Sequence, residues 1–183
     1  MSGSLGKIFI DPGHGGSDPG AVHPSGQPRE IDFTLPAALH LAADLRVREY
    51  DSVLTPAIEL QPGQRLRAPA RARWCNEHAS NGRDLVISIH CNASESHRAI
   101  GSEVWYYSQS ALAIDLSAAI ALHEPARNRG AKRSDGLAIL TQTTMPAVLL
   151  ELGFVDAEPG WLNRYWVAQM EAIVPVIESW MAL

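Results

Sequence analysis

Positive charge is scarce in this sequence: 15 Lys and Arg stand against 20 Asp and Glu, a formal net charge of −5. The densest basic stretch is the scattered arginines of 65–73, so the electrostatic footprint of a nucleic-acid binder is missing. Cysteine is scarcer still. Cys75 and Cys91 are the only two, with neither CxxC spacing nor the density of a disulfide-stapled domain, and both are expected to be small core residues. No apolar run approaches the ~20 residues that span a bilayer. The N-terminus is short and polar before Ile8-Phe9-Ile10, which leaves no room for the charged start, apolar stretch and cleavage site of an export signal. The expectation is a chain without a transmembrane segment or a leader.

Several motifs are also missing. A dinucleotide fingerprint on Gly13 and Gly15 needs a third glycine where Asp18 stands, and no GK[ST] follows for a phosphate-binding loop. A nucleophile elbow centred on Ser17 needs a glycine where Pro19 stands. His123-Glu124 opens an HExxH helix, but Arg127 occupies the second histidine's place. Nucleotide binding, serine hydrolysis and that class of zinc protease are therefore unsupported.

What is present is apolar material. At 183 residues and 46% hydrophobic, the chain can close one core of ordinary size, and one domain over 1–183, as a monomer, is expected. Short β-branched or apolar runs at 7–10, 52–54, 85–89, 103–107, 137–140 and 147–150 read as strands. Helical spacing links Phe33, Leu35, Leu39, Ala42 and Leu45, then Ala70, Trp74 and His78, then Leu112, Leu116 and Ile120. A last helix is expected over about 165–181, kinked by Pro175. Pro36 falls in the first turn of its helix if Asp32 or Thr34 is the cap, and Pro69 can open the second helix. The segment 56–64 reads as a loop. The alternation predicts an α/β fold: a twisted, largely parallel (mixed) sheet of about six strands with helices on both faces.

Three segments carry candidate chemistry. The first strand runs into Asp11-Pro12-Gly13-His14-Gly15-Gly16, a glycine-rich loop at the end of a strand where open α/β sheets place their sites, although a plain turn reads equally well. Leu85-Val86-Ile87-Ser88-Ile89 likewise ends in His90-Cys91-Asn92. Two strand-end histidines can share one rim of the sheet. In the third segment the apolar run Ala147-Val148-Leu149-Leu150 ends in Glu151. Burying that carboxylate costs several kcal/mol unless a cation meets it, either a metal on the same rim or an arginine such as Arg129 or Arg133. His23, His40, His78, His97 and His123 read as structural or solvated, and Trp105 as either core or the wall of a groove.

Taken together, Asp-Pro-Gly-His-Gly-Gly, Glu30 just before a helix, Ser-Ile-His-Cys-Asn-Ala and Pro-Ala-Val-Leu-Leu-Glu-Leu-Gly-Phe resemble the zinc-dependent N-acetylmuramoyl-L-alanine amidases over roughly 7–181. Four motifs in order are far more specific than one. Arg71 with Asn76, 101–107 and Asn128-Arg129-Gly130 resemble that family too. The resemblance implies one Zn2+ per chain held by His14, Glu30 and His90, with Glu151 as the catalytic carboxylate. It further implies a peptidoglycan substrate cut at the amide between N-acetylmuramic acid and L-alanine. On the residues alone Glu30 could equally be an exposed helix start beside a capping Asp32. Two imidazoles and one carboxylate leave a zinc position open, as catalytic sites do.

Asp11 and Asn92 lie near the histidines in sequence and could orient them from behind. Cys91 should point away from His90 if the strand continues. The connections 94–99 and 108–110 are too short for the inhibitory helix of some members, so an enzyme active as made is expected. It would resemble a phage-type lysin or an excised catalytic domain, made in the cytoplasm and acting on the cell wall. Two rivals stay open: a wall-binding module that has lost its chemistry, which would not need Glu151, and a zinc amidohydrolase of small amides.

Overall fold

The computed structural model describes residues 6–59, 63–80, 83–122, 124 and 127–183. Six strands form one sheet in the order β2-β1-β3-β6-β4-β5. β1 (Lys7–Pro12), β2 (Asp51–Leu54), β3 (Leu85–Asn92) and β6 (Ala147–Phe154) run parallel. β4 (Ser102–Tyr106) lies antiparallel to β6, and β5 (Asn128–Arg133) pairs parallel with β4. The fold is the expected one: α/β, with a six-stranded mixed sheet and helices on both faces.

Side-chain alternation along the strands builds two cores. Ile8, Ile10, Ile87, Ile89, Val148 and Leu150 point to one face, under α1 (Ile31–Val47), α3 (Ser110–Ile120) and α5 (Pro159–Met181). Phe9, Val86 and Leu149 point to the other, where α2 (Ala68–Glu77) and the single turn α4 (Ala138–Thr141) supply Ala72, Cys75, Ile139 and Leu140. The central strands are therefore covered on both sides, as their unbroken apolar runs require. The cover is unequal: two short helices leave the rim of the second face open. No helix among the described residues is long and apolar enough to cross a membrane.

Several boundaries differ from expectation. The apolar run 137–140 forms the turn α4 rather than a strand, because four apolar residues satisfy either periodicity and here Ile139 and Leu140 fill the gap beside Leu149. The sixth strand is instead β5, whose polar sequence NRGAKR is largely exposed at the sheet edge. Basic residues on an edge strand discourage pairing with another chain, and they also erase the alternation that would mark a strand. In α1, Glu30 holds the N-cap position, so Pro36 falls in the second turn rather than the first, where it removes one backbone bond. The buried stripe of α1 runs through Phe33, Ala37, Leu41 and Leu45, while Leu39 is exposed. Pro69 does sit in the opening turn of α2, and α5 begins earlier than expected, at Pro159. The expected loop 56–64 contains a 3-10 turn at Pro56–Glu59, and 60–62 lie outside the described residues.

Candidate metal centre

The site lies where β1, β3 and β6 end. Register places His90 beside Glu151, and Glu151 beside Glu103 of β4, so three neighbouring strands present one polar row to the open face.

The loop after β1 brings His14 to this row. His14 adopts a left-handed conformation, φ 67°, which a non-glycine residue holds only where its surroundings enforce it. The enforcement is visible. Gly13 N–H donates to the Ile89 carbonyl at 2.7 Å, and Thr34 Oγ1 donates to the Gly13 carbonyl at 2.9 Å. The buried guanidinium of Arg71 donates to the carbonyls of Leu66, Pro12 and His14. Asp11 balances that charge at 3.1 Å and also accepts from Thr55 Oγ1 and Ser88 Oγ at 2.7 and 2.8 Å. Asp11 thus acts on the backbone that carries His14, through Arg71, and not on an imidazole. Asn92 does not reach an imidazole either: its Nδ2 donates to Glu103 Oε1 at 3.0 Å.

Glu30 joins the two histidines. His14 Nε2 stands 3.0 Å from Glu30 Oε2, and His90 Nδ1 stands 3.0 Å from Glu30 Oε1. The carboxylate also accepts from the backbone N–H of Ala21 at 2.9 Å and of Cys91 at 3.0 Å. One ligand atom from each of His14, Glu30 and His90 lies within 4.8 Å of the others. Donors about 2 Å from a shared zinc ion are spaced on this scale, and two imidazoles with one carboxylate are a zinc donor set, so the residues fit such an ion.

Burial disfavours the ionised Glu30, but the hydrogen bonds from His14 and His90 outweigh it and hold the carboxyl far below the usual range. Burial likewise works against a charged His14, yet the Glu30 and Asp18 carboxylates outweigh it and raise its pKa. Close approach explains two glycines. A Cβ on Gly20 would stand 2.5 Å from Glu30 Oε2, and one on Gly13 would stand 2.6 Å from the His90 ring.

Glu151 completes the row. Its Oε2 is sealed from solvent and has no hydrogen-bond partner among the described residues. Neither arginine raised as a partner meets it: Arg129 Nε donates to Glu103 Oε2 at 2.7 Å, and Arg133 lies over the Tyr107 ring. Burial above all, then the negative charges of Glu30 and Glu103, push the Glu151 carboxyl well above its ordinary value, against an opposing pull from Lys132. Reading the sequence missed Glu103, a buried carboxylate that also accepts from Lys132 and Trp105 Nε1. Its one trace in the sequence is that Glu103 and Trp105 alternate on the same face of a strand. Of the two roles expected of Trp105, the core one is seen: it packs on the second core, and its indole N–H donates to Glu103 Oε1 at 3.2 Å.

The remaining candidates stand apart. Cys91 packs in the first core, opposite His90, and Cys75 in the second. His23 bonds Ser25, His40 packs edge-on against Trp166, His78 stacks on Trp74 and His97 bonds Asp156. His123 lies outside the described residues. Residues 93–101 contain turns and no helix.

Comparison with known proteins places these residues in context. The sequence pattern of a family described as N-acetylmuramoyl-L-alanine amidase matches residues 8–161. The probable cell wall amidase LytH of Staphylococcus saprophyticus is 35% identical over 160 residues, covering 81% of this chain and 48% of that protein. The Staphylococcus aureus protein of the same name is also 35% identical, over 152 residues. The chain spans about half the length of the curated relatives it matches. Among solved structures, the N-acetylmuramoyl-L-alanine amidase AmiC2 of Nostoc punctiforme aligns with a TM-score of 0.84 at 28% identity, covering 100% of both chains.

Proposed function

This chain belongs to the N-acetylmuramoyl-L-alanine amidase family, and on that premise we propose that it hydrolyses the amide between N-acetylmuramic acid and L-alanine in peptidoglycan, with one zinc ion per chain. The observation that carries the proposal is the convergence of His14, Glu30 and His90 beside a sealed, unpartnered carboxylate on one open rim.

His14, Glu30 and His90 would hold the ion. Zinc, when bound, supplies Lewis acidity that polarises the scissile carbonyl and acidifies water. The chain's own residues do the rest. Glu151 Oε2 accepts a proton from the attacking water as its oxygen bonds to the carbonyl carbon, and returns a proton to the alanine nitrogen as the C–N bond breaks. Raising the proton affinity of Glu151 suits a group that must take up a proton and then release it. Arg71 and Asp11 hold the His14 loop in its strained conformation, so the donor set is formed before substrate arrives.

Digestion of purified cell walls tests the bond assignment. Clearing should be accompanied by new alanine amino termini in matching amount and by no new reducing sugar ends. Reducing ends would indicate a glycosidase, which needs two carboxylates flanking a sugar. Amino termini from residues further along the stem would make the activity an endopeptidase.

A further inference from the structure

Beside the metal centre, the α2/α4 face opens into a cavity of about 230 Å³ whose lining includes His14 and His90. Whatever fills it lies against the reacting amide. One wall is apolar, formed by Leu66, Leu137, Ile139 and Leu149. The other is basic.

Three arginines line the cavity, and two are committed. Arg71 is buried and spent on Asp11 and backbone carbonyls. Arg65 is paired with Asp18 at 2.9 Å. The Arg67 side chain is exposed and has no hydrogen bond or ion pair among the described residues. It is also the N-cap residue of α2, a helix end with no side-chain cap, so the positive end of the helix adds to the same wall. The two acidic residues in the lining are already answered, Asp11 by Arg71, Thr55 and Ser88, and Asp18 by His14 and Arg65. The net demand of this wall is for an anion.

Resting on the amidase reading above, we infer that the cavity receives the stem residue that follows alanine, and that Arg67 recognises a free carboxylate on it. Successive α-carbons stand about 3.8 Å apart, so this residue must lie next to the metal centre when the alanine nitrogen is in place. A guanidinium presents two parallel N–H donors that a carboxylate can accept together; amidation removes both the charge and one acceptor. The apolar wall accommodates the methylene groups of the same residue. The cavity therefore selects stems whose second residue is an unamidated acid.

The test compares kcat/KM of the metal-loaded protein on muramoyl-L-alanyl-D-glutamate and on the same compound with its α-carboxyl amidated. Wild type, Arg67→Ala and Arg67→Lys are measured, together with calorimetric affinity for the product L-alanyl-D-glutamate. Wild type should prefer the acid by about tenfold or more, the scale of one hydrogen-bonded charge. Arg67→Ala should bring the ratio near one and weaken product binding by a similar factor, with Arg67→Lys between. Equal turnover of both compounds by wild type would overturn the subsite and leave the amidase reading intact. So would a preference that survives Arg67→Ala. Turnover of neither compound would overturn the amidase reading and the subsite with it.

Discussion

Glu30 stands at the N-cap of α1, where a carboxylate ordinarily accepts from the first amides of its own helix. Its side chain turns away instead, to accept from Ala21 and Cys91 and to lie between His14 and His90. Arg29 and Asp32 take over the surface of that turn, bonded to each other at 2.7 Å. Glu151 is the converse case, a carboxylate that an apolar strand delivers to a place with no hydrogen-bond partner. Environment sets the two acids apart: Glu30 is held ionised, and Glu151 is pushed toward its protonated form. Glu151→Gln keeps the shape and removes the basicity, so turnover should fall by ~10² or more while metal content and unfolding midpoint stay as in wild type. Wild-type rates in that variant would make the carboxylate structural. Loss of the metal along with activity would make Glu151 a ligand.

Among the elements, β1, β3 and α2 are joined by a single buried charge pair. Asp11 closes β1, Ser88 lies on β3, Arg71 on α2, and each bonds Asp11. Both charged side chains of the pair are almost fully buried, 5% and 2% exposed. Removing one partner strands the other. Asp11→Ala should therefore cost about 3 kcal/mol in urea unfolding, the lower end for a broken buried pair because backbone carbonyls still accept from Arg71. A loss under about 1 kcal/mol would show that the carbonyls alone satisfy the guanidinium. At this scale the central strands were legible in the sequence, since buried parallel strands read as apolar runs, and His14, His90 and Glu151 stood out because each follows such a run. The turn α4 and strand β5 were not. Four apolar residues at 137–140 carry no period, and NRGAKR hides a strand whose pairing is decided by its neighbour β4 rather than by its own side chains. Glu103 escaped for the same reason: apart from Trp105 two residues along, its donors arrive from β5 and from Asn92, contacts that exist only once the sheet has formed.

Across the whole molecule, three carboxylates, Glu30, Glu103 and Glu151, share one rim of the sheet. Lys132 and Arg129 answer Glu103 from β5. At the other end of the row, the function proposed above assigns the positive charge to a cation held by His14, Glu30 and His90. Binding to the folded state alone stabilises it by about 2.7 kcal/mol at a hundredfold excess over Kd, so loading and stability are linked. The most direct measurement is the zinc content of the purified protein, read beside its activity on cell walls, for wild type, His14→Ala and His90→Ala. About one zinc per chain is expected in wild type, removed by a chelator together with activity and part of the thermal stability, and restored on adding zinc. Both variants should be empty and inactive. Full zinc occupancy in either variant, or undiminished wall cleavage by the chelated wild type, would contradict the account.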